Sequence, residues 1–143
     1  MKQIGKYKIG GDCMCKLQEI NTNFESSVYV ADNKSKLIEC IIELAKDCSD
    51  IDAIILFGSA LETRCKKSSD IDIAIISRKT INALSERKSF RQFKDSIYLL
   101  DMSQEYDFLY FKSIDEIEKK KDTASIFKEL AEKGKVIYKR QAA

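Results

Sequence analysis

"LFGSALETRCKKSSDIDIAIIS", residues 56–77, decides how this chain is read. It closes one apolar run, turns at Gly58-Ser59, and opens a second apolar run with Asp70 and Asp72. Gly58 is the only glycine between Gly11 and Gly134, in a chain with five glycines and no proline. A glycine at a strand end and two acids at the mouth of an apolar strand each cost folding stability. Their presence together points to chemistry at this turn.

Outward from the turn, "AIILF" (53–57) is a short continuous apolar run and reads as a buried strand. Ile71, Ile73 and Ile75 alternate with their neighbours, the periodicity of a second strand. "ALETR" between them reads as a short helix after the turn. Upstream, Asp32 or Asn33 is the expected N-cap of a helix reaching about Cys48, with Leu37, Ile38, Ile41, Ile42, Leu44 and Ala45 at helical spacing. Downstream, Phe90, Phe93, Ile97 and Leu100 predict one amphipathic helix over about residues 80–100, and "YDFLYF" (106–111) a third strand. Ser113 and Glu116 form a capping box for a helix that breaks near Asp122 and resumes from Thr123. Gly134 sits where a C′ glycine would end that last helix, and "VIY" (136–138) supplies a short final strand. Alternating helices and strands predict an α/β (α+β) fold, a sheet covered by helices. Residues 1–30 read as an N-terminal extension, loose or with a short edge strand, and 31–140 as a single domain.

With 143 residues, 44% hydrophobic, 34% charged and a formal charge of +2, the chain is a soluble domain and no bulk nucleic-acid binder. No apolar run approaches the roughly 20 residues of a membrane span, and no signal-peptide core is present. Five cysteines, an odd number, fit a reducing cytoplasm, and Cys40, Cys48 and Cys65 read as small buried hydrophobes. The chain has no histidine, so Ser-His and Cys-His nucleophile pairs are excluded and carboxylates must carry the chemistry.

Gly58 lets the backbone turn tightly and lets a ligand approach the main chain. Ser59 adds a hydroxyl to main-chain N–H groups that suit an anion. Taken alone, the pair also reads as an ordinary turn with a serine cap. Asp70 and Asp72, at i and i+2 of a strand, share one face with Cα atoms roughly 6.5–7 Å apart, a spacing suited to a hard divalent cation. Alone, this reads equally as a solvated strand end.

Together, Gly58-Ser59, ten further residues and Asp70-Ile71-Asp72 reproduce a GS-x10-DxD signature. The chain therefore resembles the nucleotidyltransferase superfamily related to DNA polymerase beta, and most of all its minimal nucleotidyltransferases, from about residue 33 to 139. The ending "KELAEKGKVIYKR" is similar to the helix-glycine-strand close of that family. The resemblance implies a nucleotidyltransferase fold with a mixed sheet and a metal site at the ends of neighbouring strands. It implies a third carboxylate on an adjacent strand, and Asp107 fits that place ahead of Asp101 and Glu105, which lie outside the apolar run. The alternative for Asp107 is an edge-strand acid exposed to water.

What the resemblance implies is catalysis by Asp70, Asp72 and Asp107 holding Mg²⁺, in two ions, with Gly58, Ser59 and Arg64 binding ATP or another nucleoside triphosphate. Many relatives read "GSRARG", where this chain has Glu62 and Thr63 in place of the second arginine and the final glycine; Arg64, Lys66 and Lys67 lie near enough to supply positive charge. The basic cluster "ERKSFRQFK" (86–94) reads as a helix's wet face. Minimal nucleotidyltransferases of this size commonly pair, as antitoxins, with a helical HEPN-type toxin and transfer AMP to it, and that is the leading expectation. The alternatives are a small-molecule nucleotidyltransferase working as a homodimer, and a catalytically idle binding module.

Overall fold

The computed structural model describes residues 15–24 and 26–141. Two strands come first, β1 (Leu17–Asn21) and β2 (Ser27–Ala31), followed by α1 (Ser35–Ala45) and β3 (Ala53–Phe57). A four-residue 3-10 turn (Gly58–Leu61) follows β3 directly and leads by a loop to β4 (Ile71–Ile76). Then come α2 (Ile81–Ser85), α3 (Lys88–Leu100), β5 (Tyr106–Phe111), α4 (Ile114–Lys119), α5 (Ser125–Lys133) and β6 (Lys135–Lys139).

The main sheet has the order β5-β4-β3-β6 and is mixed. β3 runs antiparallel to both neighbours, while β4 and β5 are parallel. The parallel pair follows from its connection, because a helical crossover through α2 and α3 returns the chain to the same end of the sheet. Every residue of β3 is buried, as expected of an apolar strand covered on both sides.

Strand parity sorts the side chains into two cores. Ile71, Ile73 and Ile75 of β4 join Ile54 and Leu56 beneath Ile38 and Ile41 of α1 and Phe90, Phe93 and Ile97 of α3. Ala74 and Ile76 join Ala53, Ile55 and Phe57 beneath Ile117 of α4 and Leu130 of α5. The same parity places Asp72 on the α5 side. Ile71, Ile73 and Ile75 are fully buried, and each contributes about 1.5–3 kcal/mol relative to exposure. That sum outweighs one poorly solvated acid on the same strand.

Residues expected as a loose extension or edge strand instead form an antiparallel hairpin, β1 with β2. Ile20, Val28 and Val30 sink into the larger core. Thr22 and Ser26 close its turn, the Thr22 hydroxyl donating to the Ser26 carbonyl at 2.8 Å and accepting from the Ser26 N–H at 3.0 Å. The hairpin is tied at both ends. Cys15 N–H donates to the Thr63 carbonyl at 2.8 Å, and Asn23 bonds the Lys139 backbone through both halves of its amide. Cys13, two residues before Cys15, lies outside the described residues.

Local expectations fail where tertiary contacts compete. Neither Asp32 nor Asn33 caps α1: the first accepts from Lys16 N–H at 3.3 Å and the second donates to the Cys65 carbonyl at 3.0 Å. The helix expected over about 80–100 is broken at Arg87, whose extended backbone brings its guanidinium within 3.0 Å of the buried acid Asp50. The segment after Ser59 makes a 3-10 turn and no α-helix. Cys48 and Cys65 are buried as expected, but Cys40 is exposed, and the four cysteines among the described residues are free.

Gly134 is not left-handed, with φ −64° and ψ 148°. Its requirement is space, since a Cβ there would stand 2.6 Å from the Leu130 carbonyl oxygen and 2.7 Å from Ile55 Cγ2. Gly134→Ala is therefore expected to lower stability by about 1–3 kcal/mol through overpacking. A thermal melt checks this, and an unchanged midpoint would contradict the crowding.

Candidate active site

Gly58 ends β3 with φ +76°, the left-handed region that glycine alone enters at little cost. The space a side chain would fill there is taken: a Cβ on Gly58 would lie 2.1 Å from Asp72 Oδ2. Turn and acid are thus in direct contact. Ser59 follows, half-buried, its hydroxyl without a hydrogen-bond partner among the described residues. Its carbonyl accepts from Glu62 N–H at 2.9 Å and closes the turn.

Asp72 stands opposite Phe57 on one neighbouring strand and opposite Asp107 on the other. Asp70 precedes β4 and is exposed, as is Asp107 on the edge strand β5. The structure therefore brings all three acids to one end of the sheet. Burial, reinforced by the charges of Asp107, Asp70 and Glu129, pushes the Asp72 carboxyl up to about 6. Asp101, in the loop between α3 and β5, accepts hydrogen bonds from the Ser103 N–H and hydroxyl. Glu105, exposed, contributes only its carbonyl, which accepts from Ile71 N–H at 3.1 Å and starts the β4–β5 ladder.

Among the described residues no three histidine, cysteine or acidic side chains stand already arranged around a metal position. The donor set of Asp70, Asp72 and Asp107 is nonetheless all carboxylate oxygen under mutual repulsion, which a hard divalent cation fits and relieves.

Beside this cluster lies a cleft of about 660 Å³. It is lined by Leu17, Ser27, Val28 and Tyr29 of the hairpin, by Gly58, Leu61, Glu62 and Arg64 of the turn and the loop after it, and by Glu129, Lys133 and Lys135 around the α5–β6 corner. Glu62 does not face the cleft as a bare acid, because it pairs with the exposed Arg64 guanidinium.

The loop that delivers Asp70 is anchored by a buried lysine. Lys34, 2% exposed, donates to the Lys67 carbonyl at 2.8 Å and to Gln104 Oε1 at 2.6 Å. Gln104 in turn donates to the carbonyls of Ser69 and Glu105 at 3.0 and 2.7 Å. Burial pulls the Lys34 ammonium below the ordinary lysine range, while Cys65, Asp101 and Asp70 oppose that shift. These bonds fix the entry to β4 against the entry to β5.

The family described as Polymerase beta, Nucleotidyltransferase matches residues 39–143. The chain belongs to that family. Within the nucleotidyltransferase span lie Gly58, Ser59, Asp70, Asp72 and Asp107, and also Glu129, Lys133 and Lys135 of the cleft. The hairpin lies outside it. No curated protein matches the chain. A crystal structure of a mutant of the toxin-antitoxin MntA-HpeT is similar with a TM-score of 0.47 and 17% identity, over 73% of this chain and 74% of that one. Among the described residues of this nucleotidyltransferase, no helix is long and apolar enough to cross a membrane.

Sequence reasoning named the turn and the three acids but missed Tyr29, Glu129, Lys133, Lys135 and the Lys34–Gln104 anchor. The lysines flanking Gly134 were an available signal, since "KGK" at a helix-strand corner places two cations close together. Lys34 carried none; only tertiary structure buries it.

Proposed function

We propose that this nucleotidyltransferase moves a nucleoside monophosphate, AMP from ATP, to an acceptor hydroxyl on a partner protein, in the manner of a minimal-nucleotidyltransferase antitoxin acting on a HEPN-type toxin. The observation that carries the reading is Asp72 set opposite Asp107 and against the Gly58 turn, with its carboxyl pushed up to about 6. Carboxylates so crowded are costly unless a cation joins them.

Asp70, Asp72 and Asp107 would hold Mg²⁺. When bound, Mg²⁺ supplies charge neutralisation for the triphosphate and the leaving pyrophosphate. Ser59 and the main chain of the turn hold the β- and γ-phosphates. The acceptor oxygen attacks the α-phosphorus in line, the bond to the bridging oxygen of the β-phosphate breaks, and pyrophosphate departs with that electron pair. Asp107, exposed on the edge strand, takes the hydroxyl proton. No protein nucleophile is needed. The partner-protein acceptor rests on the resemblance to antitoxins, that is, on analogy.

The test is incubation with Mg²⁺ and each α-labelled nucleoside triphosphate, together with a co-encoded helical protein or candidate aminoglycosides. Label on the partner that disappears with Asp70→Ala is the expected result. Label on a small molecule would move the acceptor to that class, and no transfer to either would favour an idle binding module.

A further inference from the structure

We infer that the β1–β2 hairpin is the base-side wall of the nucleotide cleft, with Tyr29 as the surface on which the base stacks. The inference rests on the nucleotidyltransferase reading and extends it to residues outside the matched family span.

Tyr29 is 58% exposed although it sits on a strand whose neighbours Val28 and Val30 are buried. Among the described residues its ring makes no aromatic contact and no hydrogen bond, with Glu19 opposite it across the hairpin, while Tyr98, Tyr106 and Phe108 pack against one another edge-on and stacked. Leu17, 41% exposed, lines the same cleft. An open aromatic beside an open aliphatic surface in a concave site is what a nucleobase stacks on.

The opposite side of the cleft is charged. Arg64, Lys133 and Lys135 line it together with Glu62 and Glu129, Arg64 paired with Glu62, and Gly58 connects the cleft to Asp72. The division matches a nucleoside triphosphate, an aromatic ring at one end and a polyanion at the other. The wall is also fixed. Cys15 ties the hairpin root to Thr63, just past the turn, and Asn23 ties its tip to Lys139 of β6. A platform held at both ends loses little freedom when the base arrives. Stacking is tolerant of base identity, so this wall adds affinity for any nucleoside triphosphate more than it selects one.

The experiment is calorimetric titration of the full chain in Mg²⁺ with ATP, with ribose 5′-triphosphate lacking a base, and with inorganic tripolyphosphate. Tyr29→Ala should weaken ATP binding by about 5- to 150-fold, the equivalent of one stacked base. It should leave tripolyphosphate affinity unchanged, and Tyr29→Phe should restore ATP binding. The unaltered protein should prefer ATP to the base-less compound by the same factor, which tests the platform without any variant. Equal affinity of the unaltered protein for ATP and ribose triphosphate, or unchanged ATP binding by a folded Tyr29→Ala protein, overturns the inference and leaves the nucleotidyltransferase reading intact. Absence of binding by all three ligands to the unaltered protein overturns both.

Discussion

Asp72→Asn is expected to raise the melting temperature of the protein at about pH 7.5 in chelator while lowering nucleotidyl transfer by roughly 10²–10⁴-fold. Burial and the charges of Asp107, Asp70 and Glu129 raise the folded-state value of Asp72 to about 6 from 3.8. Below about pH 4 the group is protonated folded or unfolded, and asparagine gains nothing. Between about pH 4 and pH 6 the unfolded chain releases the proton more readily, so native stability falls as pH rises; above that the penalty is complete. Two units correspond to about 3 kcal/mol, and partial solvation reduces this to about 1–2 kcal/mol. The gain should vanish in melts near pH 4. Mg²⁺ should narrow it at about pH 7.5, because the cation stabilises only the protein that binds it. A variant that melts at or below the parent in chelator at neutral pH would show that the carboxylate is comfortably solvated.

Gly58→Ala should cost about 2–4 kcal/mol and abolish transfer as thoroughly as the loss of Asp72. Two independent penalties combine: φ +76° disfavours any L-residue, and the new Cβ would overlap Asp72 Oδ2 at 2.1 Å. Either the turn or the acid must move, so the change reaches the carboxylate cluster through a residue with no polar side chain. Because the overlap penalty disappears when Asp72 is shortened while the backbone penalty stays, Gly58→Ala and Asp72→Ala together should destabilise by less than their sum, with coupling of about 0.5–3 kcal/mol. Melts of the two single variants and the double variant, read beside the labelled-nucleotide assay, measure this. Strict additivity would mean that the two residues do not press on each other.

The strand core was legible because its signals are local. Alternation in "IDIAII" fixes which face each residue takes, and "YDFLYF" carries its acid in the same parity, so Asp72 and Asp107 meet once the strands are parallel and in register. Gly58 was legible as a turn, but the reason for it, a carboxylate occupying its missing side chain's place, lies on another strand. Asp50 shows what local pattern misses. It draws Arg87 out of a continuous amphipathic repeat and breaks the helix. Gly134 had the right address and the wrong reason, since crowding by Ile55 and Leu130 is invisible to a rule about helix ends. The hairpin was least legible of all: short strands with few apolar residues gain their order from Asn23, Cys15 and the core beneath them.

Asp107 rides the outermost strand of the sheet, with β4 on one side and solvent on the other. That margin makes the acceptor side of the carboxylate cluster a shoreline and not a tunnel. The partner protein proposed as acceptor could bring its hydroxyl alongside without any part of the fold swinging away, and the choice of acceptor would then be set by how that partner moors against the rim.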